Sequence, residues 1–217
     1  MKKIIINADD FGMSRVFNEI ILNLLAKEFI KSTSVLVTRG LNDQLDQIER
    51  LKEIMEQKDI SVGLHLESDK NNLAGSVENI KKQNELFVKY FRFKPTHIDK
   101  HRDIYSKEEA EAMVDFAVKN DIYIRNVFAG YAPSRGNEVK TSRYVMLLSG
   151  ESMNRVKDEL LNKMEDGEIM EIATHPGKFD PDCESSLNED REKDYEKIIE
   201  LASFLKENHI ALVNQKI

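Results

Sequence analysis

Short apolar runs alternate with amphipathic segments from one end of the chain to the other, and this restricts the fold more than any single motif. Ile4 to Ile6 is β-branched and short, as a buried strand requires, and helical periodicity follows from Ser14 to Lys27. The pattern repeats with strand candidates at Ser34–Val37, Ile60–Leu66, Thr96–His101, Ile122–Val127, Tyr144–Leu148, Ile169–Thr174 and Ile210–Val213. Amphipathic stretches separate most of them, including one that opens on the capping-box pair Ser106 and Glu109 and one from Met153 to Met164 that Gly167 is expected to end. Strands that alternate with helices pair in parallel through right-handed crossovers. About seven or eight such units imply a closed (β/α) barrel rather than an open sheet. No linker or internal repeat interrupts the pattern, so one domain over residues 1–217 is expected.

Charge and cysteine usage narrow the function classes. A net charge of −7 argues against nucleic acid or an anionic membrane as partner. No apolar run approaches the ~18 residues of a membrane span, and the N-terminal isoleucines are too few for a signal-peptide core. Cys183 is the single cysteine, so no internal disulfide forms, and a cytoplasmic location is expected.

The first strand breaks at once into Asp9-Asp10-Phe11-Gly12. Adjacent carboxylates repel and resist desolvation, so they are best tolerated beside a cation, a metal or a helix N-terminus. Of the 5 histidines, His65, His97, His101 and His175 fall at or near the carboxyl ends of strand candidates, where barrels build their sites. A hydrolytic metal site needs about three protein ligands and an open position for water. A carboxylate and two imidazoles meet that need. A second carboxylate can then take a proton, and a further histidine can protonate the leaving group. Asp9, Asp10, His65, His101 and His175 are the parts for such chemistry, with their roles open at this level. No Gly-x-Ser-x-Gly elbow, P-loop or Gly-x-Gly-x-x-Gly fingerprint is present.

NADDFG (7–12), TSVLV (33–37), VGLHL (62–66), PTHIDKH (95–101), IR (124–125) and THPG (174–177) occur in the order seen in the YdjC-like carbohydrate deacetylases, which the chain resembles over nearly its whole length. Arg191 matches a basic residue before the last helix. The resemblance implies a distorted TIM-like (β/α) barrel. It also implies removal of N-acetyl groups from amino sugars or their oligosaccharides by metal-activated water. Asp10, His65 and His101 would hold one divalent ion, Mg²⁺ or Zn²⁺ first among several. Asp9 would be the general base and His175 the acid or oxyanion partner. Arg125 and Arg191 would either donate to the substrate, a small carbohydrate, or form structural ion pairs on the barrel rim, and a homodimer is allowed. His97 is expected to be structural and turned towards Asp99, with Asp99 orienting a liganding histidine and His209 on the surface.

Two departures from the family pattern bear on the substrate. Asp103 and Tyr105 stand where further histidines are usual, and the segment between His65 and His97 lacks the usual Thr- and Gly-rich loop. A more open groove, favouring oligosaccharides over monosaccharides, is the expectation. The rival readings are hydrolysis of another small amide or lactam, and a sugar-binding protein that has lost turnover.

Overall fold

The structure, a computed structural model, describes residues 1–68, 76–102, 106–126, 138–146 and 152–216. Asp103, Tyr105 and most of the segment after the third strand therefore lie outside the described residues. Eight parallel strands form one curled sheet: β1 (Lys3–Phe11), β2 (Ser32–Val35), β3 (Ser61–Leu66), β4 (His97–Lys100), β5 (Tyr123–Ile124), β6 (Arg143–Met146), β7 (Ile169–Thr174) and β8 (Ala211–Val213). Among the described residues six α-helices flank it: α1 (Arg15–Ala26), α2 (Leu45–Gln57), α3 (Ser76–Phe91), α4 (Lys107–Asn120), α5 (Met153–Asp158) and α6 (Arg191–Glu207). No helix among the described residues is long and apolar enough to cross a membrane.

The strand order is β5-β4-β3-β2-β1-β7-β6, and this is where the barrel is distorted. The end strand β8 pairs with Lys3 to Ile5 of β1, while β2 pairs with Asn7 to Phe11, so both lie along one edge of β1. Gln215, just past β8, is then close enough for Ser32 and Ser61 to donate to its side-chain oxygen. Among the described residues no ladder joins β5 to β6. That seam is bridged by the Ile124 amide donating to the Lys140 carbonyl at 2.9 Å and by Asn126 Nδ2 donating to the Ser142 carbonyl at 2.7 Å.

Alternation along each strand separates two interiors. Ile4, Ile6, Val62, Leu64, Ile98, Ile124, Met170 and Ile172 face the helices and form the apolar core with residues such as Ile21, Leu25, Leu51, Phe87, Met113 and Leu201. The opposite strand face, inside the barrel, carries Asn7, Asp9, Ser32, Ser61, His65, Asp99, Tyr123, Arg125 and Glu171, all fully or nearly buried. A (β/α) barrel usually fills this space with branched apolar side chains. Here it is filled by hydrogen-bonded polar groups, which are stable only because nearly every one finds a partner.

Local expectations were met in part. Ser14 caps α1 by accepting the Val16 amide, and Ser106 caps α4 by accepting the Glu109 amide at 3.1 Å. Glu109 does not close the capping box. Its carboxylate binds Lys100 Nζ at 2.9 Å and Ser68 Oγ instead, a buried tertiary pair outcompeting a local cap. The second strand begins two residues earlier than the apolar run suggested, because Ser32 and Thr33 continue the ladder with β1. After α5 a single π turn, Glu159–Lys163, closes the helix, so Gly167 lies in the following turn and is not the cap.

His97 is buried among strands, with Nδ1 3.0 Å from Thr96 Oγ1. A Cβ on Gly63, its neighbour across the β3–β4 ladder, would come within 2.3 Å of the ring, so glycine makes room for it. Burial pushes His97 down to about 4 from 6.5; Asp99 and Asp9 act against this, while Arg125 and His65 add to it. The unfolded ring accepts a proton below pH ~6.5 that the folded ring refuses until pH ~4, so folding stability falls across that window. The full effect is about 3 kcal/mol. Urea unfolding of wild type and His97→Asn at pH 7 and pH 4.5 measures it: the variant should lose clearly less stability between the two. Equal losses would remove His97 as the cause.

Candidate active site

Two neighbouring residues on a regular strand point to opposite faces. Asp9 and Asp10 both reach the same cavity because β1 is irregular at its end. Its register with β2 shifts between Ala8 and Phe11, and Asp10 has a φ of 72°, a conformation that aspartate tolerates better than most residues. Gly12 completes the turn at a φ of 97°, where a Cβ would lie 2.8 Å from the Leu36 carbonyl oxygen. This is the physical content of Asn7-Ala8-Asp9-Asp10-Phe11-Gly12.

Asp10 Oδ1 is 3.3 Å from His65 Nε2 and 3.1 Å from His101 Nδ1. The three donor atoms all lie within 4.8 Å of one another. His65 ends β3, and His101 extends β4 by donating its amide to the Leu66 carbonyl at 2.9 Å. His65 Nδ1 is 2.6 Å from Asp99 Oδ1, which sets the ring's orientation with Nε2 turned to Asp10. Asp99 is thus directed to His65. No hydrogen bond joins His97 to Asp99 among the described residues, contrary to the orientation expected for His97. His209 is exposed.

Asp9 is held differently. Arg125 donates to both of its oxygens at 2.8 Å, and Asn7 Nδ2 donates to Oδ1 at 2.7 Å. His175 Nε2 stands 3.9 Å from Asp9 Oδ2. The His175 amide donates to Asp194 Oδ2 at 2.9 Å, which ties the loop after β7 to the first turn of α6. Arg191 also comes from that turn, donating to Asp10 Oδ2 at 2.7 Å with its guanidinium 4.0 Å from the Phe17 ring centroid.

A cavity of about 510 Å³ opens onto these groups, lined by Asp9, Asp10, His65, His101, Arg125, His175 and Arg191 and by the loop from Asp182 to Leu187. All seven site residues expected from the sequence line it. The two arginines reach it as buried partners of carboxylates, each 1 % exposed, and not as free donors on the rim.

Charge balance explains how so many carboxylates stay buried. Burial opposes the charge on Asp10, but hydrogen bonds from His101 and His65 hold its carboxyl well below the usual range. Burial likewise disfavours His65 in its charged form, yet Asp99, Asp10 and Asp9 together raise it to about 10. Asp99 is held below the usual range against its burial by Arg125 and His65. Arg125 NH2 is also 2.7 Å from Asp99 Oδ2, an ion-pair contact without the angles of a hydrogen bond. Asp9, His65 and Asp99 form a second close set of donors, but the guanidinium of Arg125 already lies against both of its carboxylates. The set Asp10, His65 and His101 has the donor types and spacing to take a divalent cation.

Residues 3–74 match the family described as YdjC-like protein. Over those residues the chain is similar in sequence to that family. A carbohydrate deacetylase of Clostridium beijerinckii is 25% identical over 99% of this chain and 99% of its own length. A candidate cellobiose-phosphate cleavage protein of Enterococcus faecalis V583 has the same fold, with a TM-score of 0.80 and 22% identity over 99% of this chain and 98% of that one. A family 4 acetyl xylan esterase of Clostridium thermocellum, in complex with a cobalt ion, superposes with a TM-score of 0.59 at 14% identity, covering 98% of this chain and 88% of the esterase. The fold of this chain is therefore shared with both of these solved proteins.

Sequence reasoning missed Asn7, Tyr123, Glu171 and Asp194, which do not line the cavity but hydrogen-bond to residues that do or to one another behind it. The available signals were positional: Asn7 and Tyr123 each sit two residues before a site residue on the same strand face, and Glu171 is a lone acid in an apolar strand.

Proposed function

We propose that this YdjC-like chain is a metal-dependent hydrolase that removes N-acetyl groups from amino sugars or their oligosaccharides. The observation that carries the reading is the convergence of Asp10, His65 and His101, with Asp9 and His175 facing each other beside them. The name of the Clostridium beijerinckii relative and a structural neighbour described as a peptidoglycan N-acetylglucosamine deacetylase support the chemistry. Bound at the three donors, a divalent ion would supply Lewis-acid activation of water and of the amide carbonyl.

The chain's own residues account for the proton movements. Asp9 accepts a proton from the attacking water as oxygen bonds to the acetyl carbon. His175 Nε2–H then delivers a proton to the amide nitrogen as the C–N bond breaks, releasing acetate and the free amine. Asp99 accepts from His65 Nδ1, so Nε2 is the nitrogen that would give up its proton to face a bound ion, and Arg191 neutralises the outer oxygen of Asp10. Mg²⁺ and Zn²⁺ are the first ions to test.

The test is acetate release from N-acetylglucosamine and its dimer and trimer, with metal added and with metal removed. Acetate release that needs metal, and favours the oligomers, is expected. His65→Ala and His101→Ala should each lose bound metal, by elemental analysis, together with at least ~100-fold in activity. Tight sugar binding without acetate release at full metal content would favour the binding-protein reading instead. Wild-type metal content in both variants would sink the ligand assignment.

A further inference from the structure

The barrel interior below the cavity holds a buried acid that the proposed reaction does not use. Glu171 sits on β7 in register with Ile5 of β1, two inward-facing positions below Asp9, and is fully buried. Both of its oxygens are engaged from one strand. Tyr123 Oη donates to Oε2 at 2.7 Å, and Arg125 Nε donates to Oε1 at 3.0 Å. Tyr123 and Arg125 are two residues apart on β5 and its extension, so the period of the strand puts both donors on one face. Tyr123 Oη is in turn 2.7 Å from Ser142 Oγ, at the entry to β6.

The guanidinium of Arg125 is therefore held at both ends. Its Nε edge is anchored to Glu171, and its two terminal nitrogens hold the oxygens of Asp9 at 2.8 Å each. A planar fork fixed at Nε cannot rotate without breaking the pair it makes at its far edge. Among the described residues, Asn7 is the other side chain that donates to Asp9, at 2.7 Å.

We infer that Glu171, with Tyr123, is a positioning residue. It clamps Arg125 so that Arg125 presents Asp9 to the cavity in one orientation. The inference rests on the hydrolase reading only for its kinetic consequence; the clamp itself is a property of the folded chain. Local hydrogen bonding, rather than the charge of Glu171, does the positioning. In Glu171→Gln the amide oxygen accepts from Arg125 Nε, the amide nitrogen donates to Tyr123 Oη, and Tyr123 donates to Ser142, so every partner is kept. In Glu171→Met the Nε–H loses the carboxylate it donates to, and in Tyr123→Phe one carboxylate oxygen loses its donor.

Two readouts test this. The first does not need turnover: the Arg125 Nε–H proton, observed by ¹⁵N-edited NMR on metal-free protein, should be slow to exchange in wild type and Glu171→Gln and should exchange rapidly in Glu171→Met. The second is kinetic. Glu171→Gln should keep kcat within about 3-fold. Tyr123→Phe should lower it about 3- to 10-fold and Glu171→Met at least about 30-fold, with KM and metal content near wild type. If Glu171→Met fails to fold, Tyr123→Phe against Glu171→Gln decides the question by the same criteria. A protected Arg125 Nε–H in Glu171→Met, or kcat as low in Glu171→Gln as in Glu171→Met, would overturn the inference. A wild-type protein that releases no acetate would instead defeat the hydrolase reading, and the exchange experiment would still judge the clamp.

Discussion

Replacing Arg125 with methionine is expected to destabilise the protein by at least ~3–5 kcal/mol, because removing one partner leaves buried charge uncompensated. Three carboxylates depend on this one guanidinium: Asp9, Asp99 and Glu171 are all within 3.0 Å of its nitrogens. None of them is solvated, since each is at most 2 % exposed. The attraction also holds Arg125 well above its usual range against a burial that lowers it, so the side chain stays charged at any working pH. Arg125→Lys keeps the charge but has no planar fork, and it should recover part of the stability while leaving turnover low. Urea denaturation of the two variants against wild type, alongside acetate release, is the measurement. A methionine variant as stable as wild type would show that water or a shifted proton can replace the guanidinium, and the electrostatic account of the barrel interior would fall.

Asp9→Asn is expected to lower turnover by ~10²–10⁴-fold while the protein stays folded and keeps its metal, because an amide cannot accept the proton. The structure adds a second cost. Arg125 donates to both oxygens of Asp9, so one amide N–H of the variant must face an arginine N–H. Rotating away from that clash would shift the side chain relative to His175, 3.9 Å distant in the wild type. Asp10, which approaches both histidines, is untouched by the change. Unchanged turnover in Asp9→Asn at wild-type metal content would exclude Asp9 as the base.

Much of the fold is legible along the chain because it is local in origin. Ile4 to Ile6 and Val62 to Leu66 have the residue types of buried strands, and the face of α1 follows from its 3.6-residue period. The strand-end positions of Asp9, Asp10, His65, His101 and His175 are equally local, since each stands at or near the carboxyl end of a strand candidate. What the period of two also implies is that alternate polar residues share a face. Asn7 with Asp9, His97 with Asp99 and Tyr123 with Arg125 were therefore readable as inward-facing pairs, although nothing local says that the inward face is polar.

The partners across the barrel were decided by the tertiary structure alone. Asn7, Ser32 and Gln215 meet only because β8 returns beside the first half of β1. The residues around Arg125 in the chain leave substrate donor and structural ion pair equally open, and curling the sheet brings it against Asp9, Asp99 and Glu171 from three other strands. The sequence by itself determined the order of strands and helices along the chain, and that two adjacent acids need a cation, a metal or a helix N-terminus beside them. Which partner each acid receives was decided by folding: arginine for Asp9, and the two histidines with Arg191 for Asp10. The reason is physical. Secondary structure follows from side-chain pattern within a few residues, whereas the pairing of buried charges depends on strand order and stagger, which set the distance between groups more than one hundred positions apart.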